Sequence, residues 1–173
     1  MTKEKVLSYI KNYYSYVIVI VVVVLLRTFI ITPAKVDGSS MEPTLKNNNI
    51  MILNKITYKS TDIKRFDIVV IKYKDEKLIK RVIGLPGENI YYDKNTLFVN
   101  GLVENEVFAH KKTDNFKLED LGFKTIPGDK YLVLGDNRTD SIDSRIIGLI
   151  DKKNILGKVN VRIFPLNKIG SVK

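Results

Sequence analysis

The chain has 173 residues, 45% hydrophobic and 28% charged, a globular composition long enough for one domain plus an anchor or tail. It has no cysteine and one histidine, which excludes a disulfide framework, a thiolate zinc site and cysteine catalysis, and argues against a multi-histidine metal centre. The formal net charge of +10 is spread along the chain without a basic run or interleaved aromatics, so it suits an anionic membrane surface better than nucleic acid.

Residues 1–12 form a short tail carrying Lys3, Lys5 and Lys11. From Tyr13 to Ile31 the chain is almost wholly apolar, with three tyrosines at its near end and Arg27 one turn from its far end. As a helix these 19 residues reach about 28 Å, close to the hydrocarbon thickness of a bilayer. The run is rich in valine, which favours strands in water. In lipid, however, every backbone group of a lone span must be paired within the segment, so the span has to be helical. Tyrosines suit the interface, Arg27 can snorkel outward, and the basic tail predicts a cytoplasmic N-terminus. Residues 13–32 are therefore expected to be an uncleaved transmembrane anchor. The other reading is a cleavable export signal, but no small-x-small site follows in Thr32-Pro33-Ala34-Lys35.

Residues 33–173 read mainly as short strands. Ile50–Leu53, Asp67–Tyr73, Leu78–Ile83, Tyr131–Leu134 and Gly157–Phe164 are β-branched or apolar runs bounded by turn residues. Leu97–Val103 contains Asn100-Gly101, a type I′ hairpin signal. Glu104–Lys124 has weaker periodicity and reads as a loop or a short helix. The expected fold is mainly β: an antiparallel, partly closed, barrel-like catalytic domain behind one N-terminal transmembrane helix.

Three segments carry candidate chemistry. Just past the anchor lies Gly38-Ser39-Ser40-Met41-Glu42-Pro43-Thr44-Leu45, which alone reads as ordinary turn chemistry. Lys80 opens Lys80-Arg81-Val82-Ile83-Gly84-Leu85-Pro86-Gly87-Glu88, and a lone lysine in a strand is usually solvated. The third segment runs from Gly135 to Arg145 and packs two arginines, three aspartates and two serines directly after an apolar strand. Its arginines, and the lack of a glutamate at the twelfth position, argue against a calcium loop. A serine paired with a neutral lysine is one of the few ways such a chain can activate a nucleophile. The lysine pKa of about 10.4 must then fall by several units, and apolar Leu78, Ile79, Val82 and Ile83 are suitable surroundings for that.

Taken in order, Leu26-Arg27-Thr28-Phe29, Ser40–Leu45, Asp67–Val70, Lys80–Glu88 and Gly135–Arg145 closely resemble the type I signal peptidases, in particular their compact single-anchor bacterial form. The resemblance implies a membrane-bound serine endopeptidase that removes N-terminal signal peptides from exported preproteins after small residues. It implies a β-rich domain on the extracytoplasmic side of a bacterial cell membrane. Ser40 is then the nucleophile and Lys80 the general base. By the same resemblance Ser141 hydrogen-bonds and orients the lysine ammonium, Asp143 pairs with Arg145, and Asp136 pairs with Arg81. Val36, Leu45 and Ile79 match positions that line shallow substrate pockets. Some relatives carry a serine two residues before the nucleophile to bind the oxyanion, and this chain has Gly38 there. Expected partners are preprotein signal peptides and the bilayer; no cofactor, metal or nucleic acid is implied. His110 lies outside every motif and reads as a surface residue. Two other functions compete: a self-cleaving Ser-Lys repressor-type protease, which would carry a DNA-binding region in place of the anchor, and a membrane-tethered binding module.

Overall fold

The computed structural model describes residues 13–24, 31–55, 62–108 and 110–172. Residues 13–24 form helix α1, and all of its side chains are exposed. Among the described residues no helix is long and apolar enough to cross a membrane. Residues 25–30 of the expected anchor, with Arg27, and the basic tail lie outside the described residues. The far end of the expected span is corrected: Ile31 and Thr32 open a strand instead of closing a helix.

That strand is β1 (Ile31–Lys35), followed by β2 (Ile50–Asn54), β3 (Ile68–Tyr73) and β4 (Glu76–Gly84). A smaller unit follows with β5 (Ile90–Asp93), β6 (Thr96–Val99), β7 (Leu102–Glu104) and β8 (Phe116–Lys117). The chain then returns through β9 (Lys130–Leu134), helix α2 (Ser144–Ile147), β10 (Ile150–Asp151), β11 (Ile155–Phe164) and β12 (Gly170–Ser171). The large sheet has the order β1-β2-β11-β3-β4-β9-β10, with β12 paired to β11, and the small sheet the order β7-β6-β5-β8. Every pairing is antiparallel. Among the described residues the large sheet is an open path ending in β1 and β10, so barrel closure is not seen.

The strand alternation explains why the large sheet is buried on both faces. Side chains alternate sides along a strand, so Ile68 and Val70 of β3 enter one apolar cluster while Val69 and Ile71 enter another. Along β9, Tyr131 and Val133 pack with the second of these, whereas Leu132 and Leu134 face the small sheet with Ile83 and Tyr92. Asn100 (φ 52°) and Gly101 (φ 82°) both take positive φ between β6 and β7, as a type I′ turn demands. The Glu104–Lys124 stretch holds β8 and a single 3₁₀ turn at Leu118–Leu121.

Candidate active site

Ser40 sits in the turn between β1 and β2, and apolar side chains hold that turn to the sheet. Met41 and Leu45 are buried in one cluster with Val36, Met51, Ile68 and Ile79. Gly38 enters the turn at φ 85°, a left-handed conformation open to glycine without steric cost, and its N–H donates to Asn47 Oδ1 at 3.1 Å. On the far side, Arg162 of β11 donates to the Thr44 carbonyl at 2.7 Å.

The hairpin register sets Lys80 of β4 opposite Val69 of β3. Its Nζ lies 2.7 Å from Ser40 Oγ, and the lysine is only 2% exposed. Burial lowers its pKa from 10.5 to about 8, against the opposing pull of Asp143 and Asp136. Each of those carboxylates is held by an arginine. Arg81 donates to Asp136 through Nε at 2.8 Å and through a terminal nitrogen at 2.7 Å, a bidentate pair shut away from solvent. Arg145 donates to both oxygens of Asp143, at 2.9 and 2.8 Å. Asp143 also caps helix α2 and accepts the Gly135 N–H at 3.0 Å.

Gly135 lets the third segment lie flush against Ser40. A Cβ at this position would fall 2.3 Å from Ser141 Oγ and 2.4 Å from the Ser40 carbonyl oxygen, closer than any side chain allows. Ser141 is therefore packed beside Ser40, but the expected hydrogen bond to the lysine ammonium is not made. Its Oγ is buried and has no hydrogen-bond partner among the described residues. Val36, Leu45 and Ile79 come together in the cluster under the Ser40 turn, almost wholly buried.

The chain matches the family described as signal peptidase, peptidase S26, over residues 8–164. It belongs to that family. It is 40% identical to signal peptidase I P of Bacillus subtilis subsp. natto, over 99% of this chain and 96% of that one. It is 37% identical to signal peptidase IB of Staphylococcus aureus strain COL, over 96% of this chain and 93% of the relative. A crystal structure of a signal peptidase I from Enterococcus faecalis V583 aligns with a TM-score of 0.52 at 34% identity, covering 57% of this chain and 97% of that one. The chain's place is thus among the bacterial type I signal peptidases, which are serine peptidases.

Around these residues the fold assembles a polar network that motif reading did not find. Arg138 donates to the Gly135 carbonyl at 3.1 Å and the Tyr92 hydroxyl at 3.1 Å, and also to Glu106 and Thr113. Phe108 lies over the Arg81 guanidinium at 3.8 Å, and Lys111 N–H donates to the Asp136 carbonyl at 2.9 Å. The strap between β7 and β8 thereby ties the small sheet to Arg81 and the Gly135–Arg145 segment. His110 belongs to this strap, which corrects its expected surface position. Its side chain is 13% exposed, with Nε2 3.2 Å from Glu106 Oε2. The alternation of Phe108 and His110 with solvated Val107 and Lys111 is the one local signal that the strap has an inner face.

Proposed function

We propose that the chain is a membrane-anchored endopeptidase in which Ser40 and Lys80 form the catalytic dyad. It removes N-terminal signal peptides from exported preproteins, cutting after small residues. Neutral Lys80 accepts the Ser40 proton as Oγ attacks the scissile carbonyl, then gives a proton to the departing amine of the mature protein. The acyl-enzyme ester is hydrolysed by a water that yields its proton to Lys80. The Ser40 N–H receives the oxyanion; the second donor is open, because Gly38 has no hydroxyl to offer.

One observation carries this reading: the 2.7 Å contact between Ser40 Oγ and a buried lysine whose pKa is lowered to about 8. Other features support the accompanying roles. The buried, unpartnered Ser141 Oγ suits a hydroxyl that steadies the lysine when it is protonated. Asp143 with Arg145 and Asp136 with Arg81 frame the dyad, and Val36, Leu45 and Ile79 form an apolar floor fit for small side chains. The exposed apolar surface of α1 suits a lipid environment for an anchor ending before β1, with residues 1–12 cytoplasmic and the β domain outside. Tethering the site at the bilayer surface favours substrates held in the same membrane.

The test is cleavage of a preprotein in detergent or lipid by wild-type, Ser40→Ala and Lys80→Ala proteins, with folding checked by circular dichroism. Cleavage after a small residue that either change abolishes is the expected result. Inert wild type, or folded variants that still cut, overturns the dyad.

A further inference from the structure

The peptide units on both sides of Ser40 are pinned from the opposite side of the site. Asn137 N–H donates to the Ser40 carbonyl at 3.0 Å, and Asn137 Nδ2 donates to the Ser39 carbonyl at 3.2 Å. The Ser39 carbonyl also accepts the Glu42 N–H at 2.9 Å. Thr139 Oγ1 lies 3.3 Å from Asn137 Oδ1, which turns the Asn137 amide nitrogen toward Ser39. Finally, the Ser39 hydroxyl donates to Asp140 Oδ2 at 2.6 Å, a bond that spans 101 residues of sequence. Such a short bond to a carboxylate is charge-assisted.

A trans peptide is planar, so the carbonyl of Ser39 and the N–H of Ser40 point in opposite directions from one rigid plate. Fixing the carbonyl, together with the Ser39 side chain, fixes where the Ser40 N–H points. That N–H is the oxyanion donor of the mechanism above. With Gly38 offering no hydroxyl, its aim matters more than in a site with a second, side-chain donor. Nothing in the dyad itself orients it: Lys80 touches only the Ser40 side chain oxygen in this group of contacts.

The geometry points to Asp140 as a positioning residue: through the Ser39 hydroxyl, and alongside Asn137, it aligns the Ser40 N–H for the oxyanion of the reaction. This rests on the Ser40–Lys80 reading. Asp140 is exposed and outside the apolar clusters, so removing its carboxylate leaves the core intact. A donor that acts on the transition state is read in kcat and spares KM.

The experiment measures kcat and KM for preprotein cleavage per active site, with sites counted by acylation of Ser40 and Ser40→Ala compared per mole of folded protein. The proteins are wild type, Ser40→Ala, Asp140→Ala, Asp140→Asn, Ser39→Ala, Ser39→Thr and the Ser39→Ala/Asp140→Ala pair. The expected result is a kcat about 3- to 10-fold lower in Asp140→Ala and in Ser39→Ala, with KM unchanged. Asp140→Asn keeps an acceptor oxygen and Ser39→Thr keeps the hydroxyl, so both restore most of the rate. The double variant is no worse than either single alanine. An unchanged kcat in Asp140→Ala, an effect confined to KM, no rescue by Asn or Thr, or additive losses overturns the assignment. Cleavage that survives Ser40→Ala overturns the dyad itself, and the positioning role falls with it; that outcome is distinct because it leaves the wild-type–Asp140 comparison unused.

Discussion

Lys80 and Arg81 are neighbours on β4, 2% and 1% exposed, yet the fold treats the two cations in opposite ways. Arg81 is saturated: it grips Asp136 with two hydrogen bonds, donates to the Phe66 carbonyl at 3.0 Å and lies under the Phe108 ring. Lys80 meets a serine hydroxyl, and its pKa falls because burial disfavours the ammonium. The carboxylates of Asp136 and Asp143 are near enough to oppose that fall, but arginines already occupy both. A buried cation becomes a base when the neighbouring acids are spent elsewhere, and a structural charge when it is given one. The residue type completes the contrast, since a guanidinium stays protonated in proteins and an ammonium does not.

The sharpest way to break this contrast is Lys80→Arg. It keeps a cation beside Ser40 but removes the possibility of a neutral base, so cleavage should drop by about 10³-fold or more, near the Lys80→Ala level. A folded Lys80→Arg protein with more than a tenth of wild-type kcat/KM would show that the positive charge, not the proton transfer, is what Lys80 supplies.

Stability should split the pair next. Arg81→Ala strands the buried Asp136 charge and should cost about 3–5 kcal/mol in denaturant unfolding. Lys80→Met should behave oppositely, and the sign follows from linkage. The folded lysine titrates at about 8 and the unfolded one at 10.5, so the unfolded chain holds more protons between those values. The ammonium's burial cost is present in full below about pH 8 and is relieved as pH rises toward 10.5. Wild type should therefore gain about 3 kcal/mol on Lys80→Met across that window. Parallel stability curves for the two proteins would remove the desolvation argument.

The smallest effect on cleavage is expected from Arg145→Met, which leaves Ser40 and Lys80 in place but strands the buried Asp143 carboxylate, so folding is checked alongside. Wild-type cleavage should rise with pH through about 8 as Lys80 loses its proton. Freeing the Asp143 carboxylate strengthens its hold on the ammonium, so the rising limb should move about one pH unit higher. A limb that stays in place would mean that Arg145 only caps and braces α2.

Much of this was legible from residues alone. Ser40 and Lys80 stood out because three motif segments occur in one order, and β3, β4 and β9 were visible as β-branched or apolar runs bounded by turn residues. Asn100-Gly101 marked its hairpin because few other dipeptides accept two positive φ values. Reading failed where no motif marks how a segment packs. His110 read as a surface residue because it lies outside every motif, whereas Glu106 and Phe108, close by in the same strap, pack against it. Likewise the apolar run past α1 suggested continued helix, but pairing of Ile31–Lys35 with β2 made its end a strand.

By itself the sequence determined the local elements, the turn chemistry and the family, since these depend on spacing and residue type within a few positions. Tertiary structure alone decided which charges meet. Asp136 reaches Arg81 across 55 residues, Ser39 reaches Asp140 across 101, and Lys80 loses its water only when β3, β9 and the Ser40 turn close around it. Desolvation and charge pairing depend on distance in space, and a chain acquires those distances only by folding.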